Sequence, residues 1–265
     1  MSVMDRAVAR PEERVGRVPV WDAVLYGVAA SSALVLGALA GVLWRHPPRQ
    51  VTGVLLAFAS GALISALAFE LFGGAVELAS ISHAGIGLLA GAAAFVAADT
   101  ALDRYVTGRS GPGQREVAAA GDGPSQGIGW ALLAAVTLDG VPENLALGVS
   151  LVEGASLALL VAIFASNLPE AMVGAVAMRE GGRSAAGVMG VWLLCAAVLA
   201  AAVVGGRALG GALDAEVLAV ALGFAGGAVL ASLADTLMPE AYTEGRPLNA
   251  FATAAGFFLS FVLAA

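Results

Sequence analysis

Lysine is absent from this chain, and all 13 basic residues are arginine. Cysteine occurs once, at Cys195, and histidine twice, at His46 and His83. A single thiol excludes an internal disulfide and a cysteine metal cluster, so Cys195 reads as a small apolar residue. The two histidines fall at the ends of apolar runs, where a solvated or interfacial imidazole is the ordinary case, and neither is a candidate core ligand. A hydrolase built on His-Glu-x-x-His, or on a serine with a histidine or lysine base, finds no such residues here, and the chain is not read as an enzyme. Charge is scarce as well. Only 12% of the residues are charged against 59% hydrophobic, with a mean hydropathy of +0.88 and 35 glycines in 265 residues. That excludes an ordinary soluble domain and marks an all-α integral membrane protein. A net charge of −7 and a pI near 4.8 argue against nucleic acid as a partner.

What is present is a series of apolar runs of roughly 18 to 25 residues, the length that crosses the hydrocarbon core as a helix. Eight are expected, at Asp22 to Trp44, Val51 to Gly74, His83 to Leu102, Gly127 to Leu151, Ala155 to Ala177, Ser184 to Gly206, Glu216 to Met238 and Leu248 to Ala264. They form one transmembrane domain over residues 22–265, preceded by a polar tail at 1–21 that shows no cleavable signal. The stretch at about 105–126, rich in Gly, Pro, Ser and charge, reads as a flexible loop. Arginines Arg45, Arg49, Arg104, Arg109, Arg115, Arg179, Arg183 and Arg246 follow the odd-numbered spans, whereas the opposite loops hold only Arg207. The excess of arginine puts the first set in the cytoplasm and both termini outside, with a plasma (inner) membrane as the expected location. The tail, with Arg6, Arg10, Arg14 and Arg17, counts against this orientation.

Two spans carry a Pro-Glu pair at mid-depth, in Thr137 to Asn144 (Thr-Leu-Asp-Gly-Val-Pro-Glu-Asn) and in Ala165 to Ala171 (Ala-Ser-Asn-Leu-Pro-Glu-Ala). A carboxylate at such depth costs about 2.5 to 3.5 kcal/mol on insertion scales, so it needs a cation, a proton or water beside it. Pro142 and Pro169 lack the N–H that would bond the carbonyls of Leu138 and Ala165. Acid plus freed carbonyl suggests a cation path. Asp139 and Glu143, four residues apart, share one helix face, as do Ser166, Asn167 and Glu170 on the next helix. For Thr137, Asn144 and Ser166 taken alone, a bond across helices or to the kinked backbone is the stronger reading. For Glu143 and Glu170 the site reading is the stronger one.

A repeat relates the second and seventh spans, with Gly61-Ala62 through Leu67-Ala68 to Leu71 aligning without gaps to Gly227-Ala228 through Leu233-Ala234 to Leu237. These spans run in opposite directions under the assigned orientation, so the repeat is inverted and the three spans at each end flank a central pair. Glu70 and Asp235 fall one residue apart in this alignment, as a secondary metal or proton site or as a polar cavity lining. Asp99 has the spacing to pair with Arg104. Met238-Pro239-Glu240, followed by Thr-Glu-Gly-Arg-Pro, marks the end of the seventh span, where Glu240 could serve as an exit ligand. Gly37 with Gly41, and Gly87 with Gly91, have the spacing that lets helices approach closely.

The two Pro-Glu motifs resemble those of the ZIP family of divalent metal-ion transporters, whose fourth and fifth spans carry His-Asn-x-Pro-Glu-Gly type motifs, and the resemblance extends over nearly the whole chain. It implies eight spans in a 3+2+3 arrangement with inverted repeats, outside termini and a variable cytoplasmic loop after the third span. It implies Glu143 and Glu170 as bridging carboxylates, Asp139 in place of the first motif histidine and Asn167 at a position often Asp or Asn. Gly140, Ser166, Asn144 and Ala171 depart from the family pattern, and no histidine lies in either motif. The expected metal set is thus Asp139, Glu143, Asn167, Glu170 and Ser166, with Glu70 and Asp235 secondary. The family favours zinc or iron as the transported ion. Oxygen ligands without imidazole pull toward manganese or iron(II), with cadmium also to be tested. No organic cofactor is implied. The expected partners are membrane lipid and the metal ion, and a homodimer is compatible with the fold. A metal-sensing membrane protein without flux and a carrier of another small solute are the alternatives.

Overall fold

The computed structural model describes residues 20–44, 47–107, 137, 140–152 and 156–264. Residues 1–19 of the polar tail, most of the 105–126 loop, residues 127–136 of the expected fourth span, His46 and Asp139 lie outside the described residues. The elements are α1 (Val20–Leu43), α2 (Arg49–Leu78), α3 (Ile81–Thr107), α4 (140–150), α5 (Leu157–Glu180), α6 (Ala185–Gly210), α7 (Ala215–Gly245) and α8 (Asn249–Ala264). Among the described residues there is no strand. Among the described residues six helices (α1, α2, α3, α5, α6 and α7) are long and apolar enough to cross a membrane, and α8 is a shorter apolar helix. Several starts carry side-chain caps, with Ser156 accepting from Leu159 N–H, Ser184 from Gly187 N–H and Asp214 from Val217 N–H. α5 ends at Gly181 and Gly182, the latter at φ 84°, a left-handed turn that glycine adopts without strain.

The outer faces are apolar. Leu25, Val28, Ile86, Leu89, Leu193, Phe251 and Phe258 are exposed, as a lipid-facing surface requires, and Trp21 and Trp44 are exposed at the two ends of α1 like an interfacial belt. The interior is built from small residues. A methyl group on Gly37 would overlap the Leu168 carbonyl, and one on Gly41 the Met172 carbonyl, so α1 and α5 lie in contact and run parallel. Gly87 meets Val220 and Gly91 meets Phe224, which lays α3 along α7 in the same sense. Gly61 meets Thr253 and Gly256 meets Phe58, pairing α2 with α8, and Gly148 and Gly206 pair α4 with α6. Both glycine pairs singled out by spacing thus sit at helix contacts.

Three features depart from the expected spans, the first being α3, which continues past Leu102 to Thr107 into the stretch expected as a loop. α2 runs past Gly74 to Leu78, and α7 passes through Pro239 to Gly245 instead of ending at Met238. Each contains a π turn, Leu67–Phe72 in α2 and Leu233–Leu237 in α7, in which Gly73 N–H bonds Ala68 C=O and Met238 N–H bonds Leu233 C=O, five residues back. The widened turn shifts the hydrogen-bond register just before Pro239, so the proline's missing donor falls in a turn that is already irregular and the helix continues.

Candidate functional site

Glu143 and Glu170 each follow a helical proline, Pro142 in α4 and Pro169 in the interior of α5. Glu143 is 8% exposed and Glu170 is partly buried, and both engage in polar interactions. The two motifs border one apolar cluster centred on Trp192. Val141, beside Pro142, packs against it, and Ala171, beside Glu170, belongs to it together with Leu34, Ala38, Ala175 and Leu199. The cluster ties α1, α5 and α6 together and fixes the rotation of the Pro-Glu turn in α5.

Next to the carboxylates in sequence stand buried amide and hydroxyl groups. Ser166 Oγ donates to the Ile163 carbonyl at 3.0 Å, which leaves its oxygen able to accept. Asn167 is 2% exposed and its Nδ2 has no partner among the described residues. Asn144 is fully buried. Its Nδ2 donates to the Gly140 carbonyl at 2.8 Å, while its Oδ1 has no partner among the described residues. A buried polar atom left unbonded costs about 1–3 kcal/mol, so two such amides in adjacent motifs mark a place that a polar guest would stabilise. The bond to kinked backbone expected of Asn144 is present, but the free oxygen at its other end is not foreseen by sequence reasoning. The signal that points to it is position, because Asn144 directly follows Glu143.

Asp139 lies outside the described residues, and among the described residues no three His, Cys, Asp or Glu side chains come together. Glu70 and Asp235 sit half-buried on the two π turns. The turn bearing Glu70 touches α5 and α7, and the turn bearing Asp235 touches α2. π turns concentrate at functional positions because they turn side chains and carbonyls out of the regular ladder. Nothing in the sequence pattern announces them. Asp99 is 5% exposed on α3 with a polar interaction of its own, while the Arg104 side chain is outside the described residues. His83 packs its Nδ1 against Ser80 Oγ at 2.8 Å at the start of α3, an end-of-helix position. Glu240 is half-buried in α7 and also has a polar interaction.

No protein-family model matches the chain, and no curated protein matches it.

Proposed function

We propose that this protein carries divalent metal ions across a membrane through a site between α4 and α5. The observation that carries the reading is the pair of proline-preceded glutamates, Glu143 and Glu170, inside an apolar helical bundle, with the buried, unbonded amide oxygen of Asn144 next in sequence to Glu143. Carboxylates at such depth call for a cationic partner. Glu143 and Glu170 bind the ion, with Asp139, Asn167 and Ser166 completing an oxygen shell, and Glu70 and Asp235 serve the path. The likeness of the motifs to the ZIP family favours zinc or iron, and the oxygen-only shell favours manganese as well.

The helix pairing supports the inverted-repeat reading. If α1 to α3 correspond to α6 to α8, then the α1/α5 contact corresponds to α6/α4 and the α3/α7 contact to α8/α2, and all four are glycine contacts. The π turns begin at Leu67 and Leu233, which are equivalent in the sequence repeat. Four parallel pairs, odd with odd and even with even, also fit eight alternating spans. Alternating access by one repeat group moving against the central pair is the motion a 3+2+3 arrangement suggests, but α1 is bound to α5 by Gly37 and Gly41 and does not travel with α2 and α3 as a block. Alternating access instead moves α1, α4, α5 and α6 against α2, α3, α7 and α8.

Thermal unfolding of the detergent-solubilised protein during titration with zinc, manganese, iron(II) and cadmium tests the site. Binding to the folded form raises stability by about 2.7 kcal/mol at a hundred times Kd. The expected result is a metal-dependent rise in Tm that the Glu143→Ala, Glu170→Ala double variant loses. A rise of equal size in that variant places the ion elsewhere.

A further inference from the structure

We infer that Asn144 is an ion ligand through its side-chain oxygen, an addition to the carboxylate shell that biases the site toward hard divalent cations such as manganese. The inference rests on the metal-carrier reading and concerns a residue outside the expected ligand set. Asn144 follows Glu143 directly on α4, so the two side chains leave the helix about 100° apart, on either side of the fully buried Leu147. Both therefore enter the bundle interior.

The geometry of the amide is what assigns the role. Nδ2 is tethered to the Gly140 carbonyl at 2.8 Å, which fixes the side chain across the turn that contains Pro142. Oδ1 is then the open end of an anchored amide, 0% exposed and without a hydrogen-bond partner among the described residues. A merely structural asparagine would use both ends, because a buried acceptor with no donor is destabilising. An acceptor held rigid and unfilled beside a buried carboxylate is suited to a cation. The Nδ2 bond also strengthens the case for oxygen ligation, since donation by the amide nitrogen polarises the carbonyl and concentrates negative charge on Oδ1. Amide and carboxylate oxygens together, without imidazole or thiolate, make a site that hard ions occupy better than soft ones.

The test is a manganese titration of the purified full chain, read from the free Mn(II) signal in electron paramagnetic resonance, alongside the Tm of the metal-free protein. Asn144→Leu keeps the side-chain volume and removes both polar ends. Manganese affinity is expected to fall at least tenfold in Asn144→Leu while the metal-free Tm stays level or rises, and Asn144→Asp is expected to restore binding. Unchanged affinity in Asn144→Leu, with binding still abolished by Glu170→Gln, overturns the role of Asn144 alone and leaves the carboxylate site standing. A metal-free Tm that drops in Asn144→Leu, with affinity unrestored in Asn144→Asp, makes the residue structural and also overturns it. Wild-type protein that binds neither manganese nor zinc removes the carrier reading on which the inference stands.

Discussion

Pro169 sits within α5 without ending the helix. Its cost to the helix, on the order of 3 kcal/mol in an unadapted interior, is offset where neighbouring groups satisfy the carbonyl that the proline frees. Here it frees the Ala165 carbonyl next to Ser166, Asn167 and Glu170, and on the proposed function that carbonyl serves the ion site. Pro169→Ala is expected to raise Tm in detergent, by about 1–3 kcal/mol of stability, and to lower metal uptake several-fold. Uptake at the wild-type level in a stabilised variant would show that the kink is dispensable. The glutamates were legible in the sequence because a carboxylate inside an apolar run stands out by position alone and demands a compensating partner. Asn144 was not, because whether an amide uses one or both of its ends depends on the rotation of α4 against its neighbours, and periodicity does not encode that rotation.

Helices in lipid gain little from burying apolar surface, so close backbone contact must supply the packing energy. In this bundle glycine makes that contact at each of the four parallel pairs, and the prediction is correspondingly local. Gly61→Ala and Gly91→Ala place a methyl group on the backbone carbonyls of Thr253 and Phe224, and each is expected to destabilise by about 1–3 kcal/mol. Gly190→Ala, with nothing within 4 Å of the added carbon, is expected to be neutral or to stabilise by up to about 1 kcal/mol. Thermal unfolding of the three variants checks both statements, and equal effects at all three positions would refute the packing argument. The six helices long and apolar enough to cross a membrane and the glycine contacts were readable from composition and spacing. The extension of α7 through Pro239 was not, because the turn signal of Thr-Glu-Gly-Arg-Pro outweighed a π turn that leaves no mark in hydropathy. The ends near Arg49 and Glu244, 3.8 Å apart, likewise depend on tertiary meeting of α2 and α7.

Across the whole molecule, arginine placement predicts which side each loop faces, and the sole cysteine makes this easy to test. Cys195 is 2% exposed within α6 and is expected to be silent to an impermeant maleimide. Gly181→Cys, on the arginine-rich side, is expected to react only after the membrane is permeabilised, and Ala212→Cys to react in intact cells. The opposite pattern reverses the topology. The division into α1, α4, α5 and α6 against α2, α3, α7 and α8 carries the proposed movement. The match between the second and seventh spans was legible in the sequence, yet the proposed division was not, because it depends on which glycines meet. The most direct measurement of the central claim is divalent-metal uptake into sealed proteoliposomes. Wild-type protein is compared with the Glu143→Ala, Glu170→Ala variant for zinc, manganese, iron(II) and cadmium. Saturable uptake by the wild type that falls to the protein-free background in the variant is the predicted result. Folded wild-type protein that binds these ions but moves none of them would contradict it and make the chain a sensor.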